Sequence, residues 1–439
     1  MNLGCKVNRA ESDGFEAALA AAGGLATSPA EAEVVLLNTC TVTREAEAKT
    51  RQAIRRALAA AGPGACVVAT GCAIQPGFAL AAGDSERLYL EPDREAALRL
   101  ACRLLGQKGK GGEERVGTGS RACVEASTGA EASTGATAGT GNGTGAASRT
   151  GTATSVTAGA TATNNPKPKR LRQGLKVQDG CDGQCSYCIV RLVRGPGRSL
   201  AVDGLLQSAT QMAAAGAREI VITGINLGKY DSAGLKLSGL LKALINTVPD
   251  IRFRLSSVEP DDLNEALLQT IAEHPDRVCA HLHLPLQSGS DKILKAMCRP
   301  YDTAQFIERV ELARAILPQI ALSTDCIVGF PGEGEADFGQ TKDVCREAGF
   351  MRIHCFRYSA RPQTAAAGLD GQVAAPVLLE RSQELRQLGA ELERLDIQRR
   401  AGTSERALVE SAGWARTGSY HRVRVGAQHQ PGEFIDYRF

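Results

Sequence analysis

Short apolar runs alternate with longer amphipathic stretches along most of the chain. Near the start, Glu11–Ala22 has helical spacing, and EVVLLNTC is a short apolar strand ending in Asn38-Thr39-Cys40. A charged helix is expected over Arg44–Ala60. CVVATGC then reads as a second strand, ending at Cys72. Strand and helix in alternation predict an open parallel α/β domain over residues 1–105. The same alternation resumes further on, with strand candidates LKVQDG, EIVITG, RFRLSS, HLHLPL, LSTDCIVGF and MRIHCFRYS. Helices are expected between them at Val202–Ala215, Leu237–Thr247, Asp262–His274, Asp302–Ile316 and Glu335–Ala348. Six such βα units predict a partial barrel rather than a complete eight-stranded one. Around Pro376–Arg400, Leu385, Leu388, Leu392 and Leu395 recur at helical spacing, as in a helix packed on the barrel. The barrel unit is assigned to 167–400. The tail, 401–439, alternates with period two and reads as a small antiparallel β module. The fold class is therefore α/β, with three units in line.

Composition changes this picture at one place. From about Gly106 to Asn165 the chain is mostly Gly, Ala, Ser and Thr, too little apolar surface to offset the entropy of ordering it. A linker or insertion is expected over 106–166. Net charge is +3 in 439 residues, so any nucleic-acid contact must come from local basic patches. The start of the chain is unlike a signal peptide, and no apolar run reaches the roughly 18 residues of a membrane span. These features predict a cytosolic protein, without membrane contact, whose 14 cysteines are reduced. Clustered cysteines there point to metal.

Two groups of cysteines stand out. Cys181, Cys185 and Cys188 form C-x3-C-x2-C directly after the first barrel strand, at the end where ligands of parallel barrels gather. A structural zinc needs four closed ligands, and a fourth would have to come from elsewhere, such as His281 or His283. An iron–sulfur cube can instead leave one iron open to an external molecule. The second group is Cys5, Cys40 and Cys72. Cys40 and Cys72 end predicted strands, and Gly4-Cys5 has the look of a third strand end. In an open parallel sheet such positions meet at one crevice.

The three-cysteine loop, with Tyr187 before its last cysteine, matches the S-adenosylmethionine radical enzymes. Together with RGPGRS, VITGINLGKY, RFRLSSVEP, HLHLPLQSGSDKILKAMCR, TDCIVGFPGE and FRYSARPQTAAA, it resembles the methylthiotransferases of that class. Lys6-Val7-Asn8 and the LSSVEP stretch resemble the branch acting on N6-threonylcarbamoyladenosine beside the tRNA anticodon. The resemblance implies two 4Fe-4S clusters, S-adenosyl-L-methionine and a tRNA anticodon stem-loop. It also implies a reducing electron donor and a sulfur source that the sequence does not identify. One S-adenosylmethionine would methylate a sulfur of the second cluster. Another would give the radical that takes hydrogen from C2 of adenine. Tyr187 would pack near the adenine of S-adenosylmethionine, and the C-terminal module would be of the RNA-binding TRAM kind.

Several positions depart from the family pattern. Only four residues precede Cys5, where relatives carry a strand. Arg191 and Arg357 stand in place of prolines, Gln363 in place of a glycine and Gly334 in place of a threonine. Gly224, Glu259, Gln287 and Asp325 fall at or after strand ends, as contacts for S-adenosylmethionine or as buried polar caps. Lys167, Lys169, Arg170, Arg172, Arg191, Arg194 and Arg198 surround the cysteine loop, as a phosphate-binding patch or a solvated face. The remaining cysteines lack ligand spacing. The alternatives are a sister enzyme acting on isopentenyladenosine in tRNA or on a ribosomal-protein aspartate, and a non-catalytic RNA-binding protein with structural metal.

Overall fold

The computed structural model describes residues 5–40, 44–75, 78, 80, 86–108, 121–126 and 170–439. The N-terminal unit runs through α1 (Lys6–Ala21), β1 (Leu25–Ala26), β2 (Val34–Thr39), α2 (Arg44–Ala60), β3 (Cys66–Gly71), β4 (Leu88–Leu90), α3 (Arg94–Lys108) and β5 (Arg121–Ala126). Its sheet is wholly parallel, in the order β1-β5-β2-β3-β4. β2 and β3 are buried along their whole length, as strands covered by helices on both faces are. One strand lies inside the stretch read from composition as a linker. β5, Arg-Ala-Cys-Val-Glu-Ala, interrupts the Gly/Ser/Thr run and pairs with both β1 and β2. The four residues before Cys5, where a strand end is expected, lie outside the described residues.

The central unit continues with β6 (Arg172–Lys176), β7 (Gln178–Asp179), α4 (Val190–Arg194), β8 (Arg198–Ser199), α5 (Val202–Ala214), β9 (Glu219–Thr223), a β10–β11 ribbon (Asp231–Ser232, Leu235–Lys236) and α6 (Leu237–Thr247). It goes on through β12 (Arg252–Leu255), α7 (Glu265–Ala272), β13 (His281–His283), α8 (Asp291–Ala296), α9 (Thr303–Ile316), β14 (Ala321–Val328), α10 (Glu335–Ala348), β15 (Arg352–Arg357) and α11 (Ala375–Arg399). Parallel pairing runs β6-β9-β12 and β13-β14-β15. Parallel bridges at Phe253–Val278 and Ser257–His283 join the two halves. The six strands thus follow one another in chain order, as a partial barrel. The α7 helix is shorter than the periodicity implied, because Pro260–Asp262 forms a 3₁₀ turn and Asn264 caps the helix, accepting from Leu267 N at 3.1 Å. On α11, Leu385, Leu388 and Leu392 are buried, but Leu395 is exposed. The stripe passes through Asp396 instead, one residue further round the helix.

β6 to β15 leave an open side. Leu175 of β6 packs with Leu205 and Ala209 of α5 in the outer core, so its neighbours Gly174 and Lys176 face inward. There they meet α1: a Cβ on Gly174 would lie 3.1 Å from the Cβ of Ala10, and Lys176 Nζ donates to Glu11 at 3.0 Å. The N-terminal helix therefore packs on the lumen face of the first barrel strand.

The C-terminal module, β16 (Ser404–Ser411), β17 (Trp414–Thr417), β18 (Arg422–Arg424) and β19 (Phe434–Arg438), is an antiparallel sheet ordered β18-β17-β16-β19. It closes the N-terminal end of the barrel. Glu219, fully buried at the start of β9, takes ion pairs from Arg172, Arg252 and Arg254. Arg252 also donates to the carbonyls of Arg406 and Arg416, and Arg254 to those of Thr417 and Gly418.

Candidate active site and its two cysteine trios

The first trio lies in the loop between β7 and α4. Gly180, just before Cys181, has φ +70°, and a Cβ there would fall 1.9 Å from the carbonyl oxygen of Pro196. Only glycine permits this close approach. Inside the loop, a Cβ on Gly183 would lie 3.2 Å from Cys181 Sγ and 4.0 Å from Cys185 Sγ, so the chain turns tightly around both sulfurs. N–H groups point at them: Gly183 N donates to Cys181 Sγ at 3.3 Å, and Arg299 Nη1 to Cys185 Sγ at 3.2 Å. Asn226 Nδ2 stands 3.9 Å from Cys181 Sγ. Burial pushes the Cys188 and Cys185 thiols up, and Arg299 opposes this at Cys185. Tyr187 is buried, edge-on to Phe330 with ring centroids 6.4 Å apart, beside Ile293 and Met297. This apolar wall keeps water from one side of the loop.

The second trio sits where α1, β2 and β3 meet. Thr39 and Gly71 are register partners on adjacent parallel strands, so Cys40 and Cys72 leave the sheet at the same level. Gly71 has φ +102°, and a Cβ there would collide with the Thr39 carbonyl at 2.3 Å. Cys5 does not end a described strand. It is the N-cap of α1, with its sulfur accepting from Asn8 N at 3.4 Å. Asn8 in turn donates to Thr39 O at 2.9 Å, bringing Cys5 to the same sheet end. Arg94 donates to Cys72 Sγ at 3.1 Å.

A buried ionic network links the trios. Arg194 of α4 reaches Asn8 Oδ1 at 2.6 Å, Glu11 Oε1 at 2.9 Å and Asp179 Oδ1 at 2.9 Å. Burial works against charge on Glu11, but Arg194, Arg94 and Lys176 hold it well below the usual carboxylate range. Arg194 is therefore a structural tie, not a phosphate contact. Arg172 is likewise committed to Glu219 and Glu410, and Arg170 pairs with Asp13. Arg191 and Arg198 are the exposed members of the expected patch. Lys167 and Lys169 lie outside the described residues.

Can these residues hold iron–sulfur cubes? Among the described residues, the one group whose donor atoms all lie within 4.8 Å is His283, Asp325 and His354. Neither trio is that tight. Four sulfurs around one zinc, at about 2.3 Å each, would sit within about 4 Å of one another. A cube, whose corners spread its ligands, does not require them so close, and N–H groups aimed at sulfur are among the means by which proteins set cluster potentials. His281 and His283 do not reach the loop as zinc ligands. Both bond Ser323 Oγ at 3.0 Å, and His283 Nε2 also contacts Asp325 at 3.1 Å. With both ring nitrogens of His283 engaged, these groups form a hydrogen-bonded floor to the lumen.

The C-terminal rim of the barrel carries the remaining features of a ligand site. Thr223 Oγ1, Asn226 Oδ1, Ser256 Oγ and Tyr358 OH are buried polar atoms without protein partners. All lie at or just after the ends of β9, β12 and β15, where a polar ligand would satisfy them. Glu259 is ion-paired to Arg299, linking it to Cys185. Burial raises its carboxyl, against the pull of Arg299. Gly224 packs on Gln178, with 3.0 Å from a built Cβ to Gln178 Cβ. Gln287, at φ +65°, exchanges backbone bonds with Asp325 O and Ile327 N at 2.8 Å. Asp325 lies deeper, with His283. Sequence reasoning missed Arg299, Asn226 and Gln178, whose roles depend on contacts across 45–114 residues. A separate outer groove of about 500 Å³, lined by Ser290, Asp291, Lys292 and Asp337, holds no residue of either trio.

The chain is similar to known proteins over most of its length. Residues 175–345 match the radical SAM superfamily, and residues 1–80 match Uncharacterized protein family UPF0004. The chain is 34% identical to the Threonylcarbamoyladenosine tRNA methylthiotransferase MtaB of Treponema pallidum, over 93% of this chain and 90% of that protein. It is 30% identical to the protein of the same name from Thermotoga maritima, over 98% of this chain and 94% of that one. A tRNA-2-methylthio-N(6)-dimethylallyladenosine synthase of Syntrophobacter fumaroxidans is 38% identical, but over 56% of this chain and 54% of its own length. The chain belongs to the family of threonylcarbamoyladenosine tRNA methylthiotransferases, within the radical SAM superfamily.

Proposed function

We propose that the protein converts N6-threonylcarbamoyladenosine beside the tRNA anticodon to its 2-methylthio derivative, using two 4Fe-4S clusters and S-adenosyl-L-methionine. The observation that carries this reading is the second trio. Radical cleavage of S-adenosylmethionine needs one cluster, whereas insertion of sulfur calls for a site that brings it. Cys5, Cys40 and Cys72 converge on one sheet end and are tied through Arg194 to the loop of the first trio.

Cys181, Cys185 and Cys188 would hold one cube by three corners and leave the fourth for the amino and carboxylate groups of S-adenosylmethionine. When bound, that cube supplies the single electron for radical C–H activation. Gly183, Asn226 and Arg299 donate hydrogen bonds to its cysteine sulfurs. Tyr187 and Phe330 shield it from water. Thr223, Ser256 and Tyr358 offer polar atoms for the nucleoside, with Glu259 held in place by Arg299. Cys5, Cys40 and Cys72 would hold the second cube. The target base must leave its stack to reach the barrel mouth. An external reductant is required, and the tRNA substrate assigns the work to the cytoplasm. No helix among the described residues is long and apolar enough to cross a membrane.

Anaerobic purification should yield about eight irons per chain, four for each cube. A Cys72→Ala protein should retain about four and still form 5′-deoxyadenosine under reduction, while losing the methylthio product by mass spectrometry of tRNA nucleosides. Stoichiometric zinc without cleavage of S-adenosylmethionine would refute the reading.

A further inference from the structure

α1 brings more to the barrel than Cys5 and Glu11. Its first residue, Lys6, is exposed and makes no hydrogen bond or ion pair among the described residues. The helix packs on the lumen face of β6. The Lys6 charge is felt at His281 on β13, Asp325 on β14, His354 on β15 and Tyr420 of the C-terminal module. Lys6 precedes Ala10 by one helical turn, so it shares the face of α1 that meets Gly174 on the lumen side of β6.

The other charges there are already committed. Arg172, Arg252 and Arg254 are bound to Glu219, and Asp325 contacts His283. Burial holds His354 at about 4, against Asp325, and holds His281 well below its ordinary value. Both rings are therefore neutral near pH 7. His281 is 2% exposed, and its Nδ1 lacks a partner. Burial raises the Tyr420 phenol, yet Arg172, Lys6 and Arg254 bring it down to about 7, which marks a positive field. The Arg172 and Arg254 guanidinium carbons lie 5.2 and 4.6 Å from its ring centroid. The lumen thus offers, among the described residues, an unpaired cation and an orphaned ring nitrogen to an anionic group.

We propose that Lys6 is a specificity residue that binds the carboxylate of the threonylcarbamoyl substituent. This deepens the proposed function and rests on it. In the substrate, C2 and the N6 substituent lie on opposite sides of ring atom N1. With C2 presented between the cysteine trios, the substituent extends past N1 and its carboxylate comes within reach of a long side chain rooted beside Cys5. The substituent ends in a carboxylate, and a charge-assisted bond from an ammonium suits it. A site built for such a contact rejects analogues that lack it.

The test compares two anticodon stem-loop RNAs, one carrying N6-threonylcarbamoyladenosine and one its neutral carboxamide. The cluster-loaded full chain should favour the acid by about 10- to 100-fold in kcat/KM, mostly through KM. Lys6→Met should abolish that preference by weakening the acid alone, and Lys6→Arg should restore most of it. Fluorescence anisotropy of both RNAs on each protein gives the same comparison without turnover, and so remains readable if the Lys6→Met protein loses iron. A preference that survives in Lys6→Met, or wild-type protein that treats the two RNAs alike, overturns the assignment while leaving the function standing. Wild-type protein that methylthiolates neither RNA overturns the function and Lys6's role with it.

Discussion

Gln363 has φ +75°, in the left-handed region that costs an L side chain roughly 1–2 kcal/mol. Its position matches a glycine in the family pattern. Gln363→Gly should therefore raise stability by about 0.5–1 kcal/mol after the greater freedom of the unfolded chain is offset, as an upward shift of the denaturant midpoint. His354 gives a second expectation, with a definite sign. Its folded value near 4 lies below the roughly 6.5 of a free imidazole. Between those values the unfolded chain holds the extra proton, so the contribution is complete above about pH 6.5 and is lost as pH falls toward 4. The loss amounts to about 3 kcal/mol. His354→Gln should flatten stability against pH in that window, measured by thermal unfolding. At this scale the cysteines were legible, because their residue type and spacing carry the chemistry. Their partners were not. Arg299 and Arg194 are ordinary basic residues in sequence, and only the fold sets one on Cys185 and buries the other among Asn8, Glu11 and Asp179.

Elements with strong periodicity were legible almost to the residue. Leu237–Thr247 and Glu335–Ala348 form as helices with those bounds, and five of the six barrel strands end within three residues of the apolar runs that announced them, whereas β6 shares only Leu175 and Lys176 with its run. Other elements owe their form to tertiary partners. The first turns of α1 are polar, and they are helical because Asn8 and Glu11 are held by Thr39, Arg94, Lys176 and Arg194. No periodicity could announce that. One helix end is also incomplete. Gly334 caps α10 in an extended conformation, and its N–H donates to Asp337 Oδ2 at 2.8 Å. That is half of a capping box, with the side-chain oxygen of the cap missing. Gly334→Thr should supply it and stabilise the protein by a few tenths of a kcal/mol, seen as a small rise in Tm.

The three-unit order along the chain was plain from its alternations, but the way the units lock together was not. Arg194 joins the N-terminal unit to the barrel, and its side chain is 1% exposed. Arg194→Met would leave Glu11 and Asp179 short of a buried partner, at a cost of about 3–5 kcal/mol. Limited proteolysis should then release or degrade the N-terminal unit first, and, under the proposed function, the iron content should fall from about eight toward about four per chain. The C-terminal module is fastened by equally long-range bonds, since Arg252 and Arg254 donate to its carbonyls across 154–164 residues. β5 has a different consequence, in the order of synthesis. Its neighbours β1 and β2 leave the ribosome some ninety residues ahead of it. Until it arrives, the nascent chain presents an unpaired strand edge of the kind that recruits wrong partners. A protease cut anywhere between Lys108 and Arg121 would part that strand from the rest of its own sheet, leaving it a guest supplied by the barrel-bearing fragment and joined to β1 and β2 without a covalent link on that side.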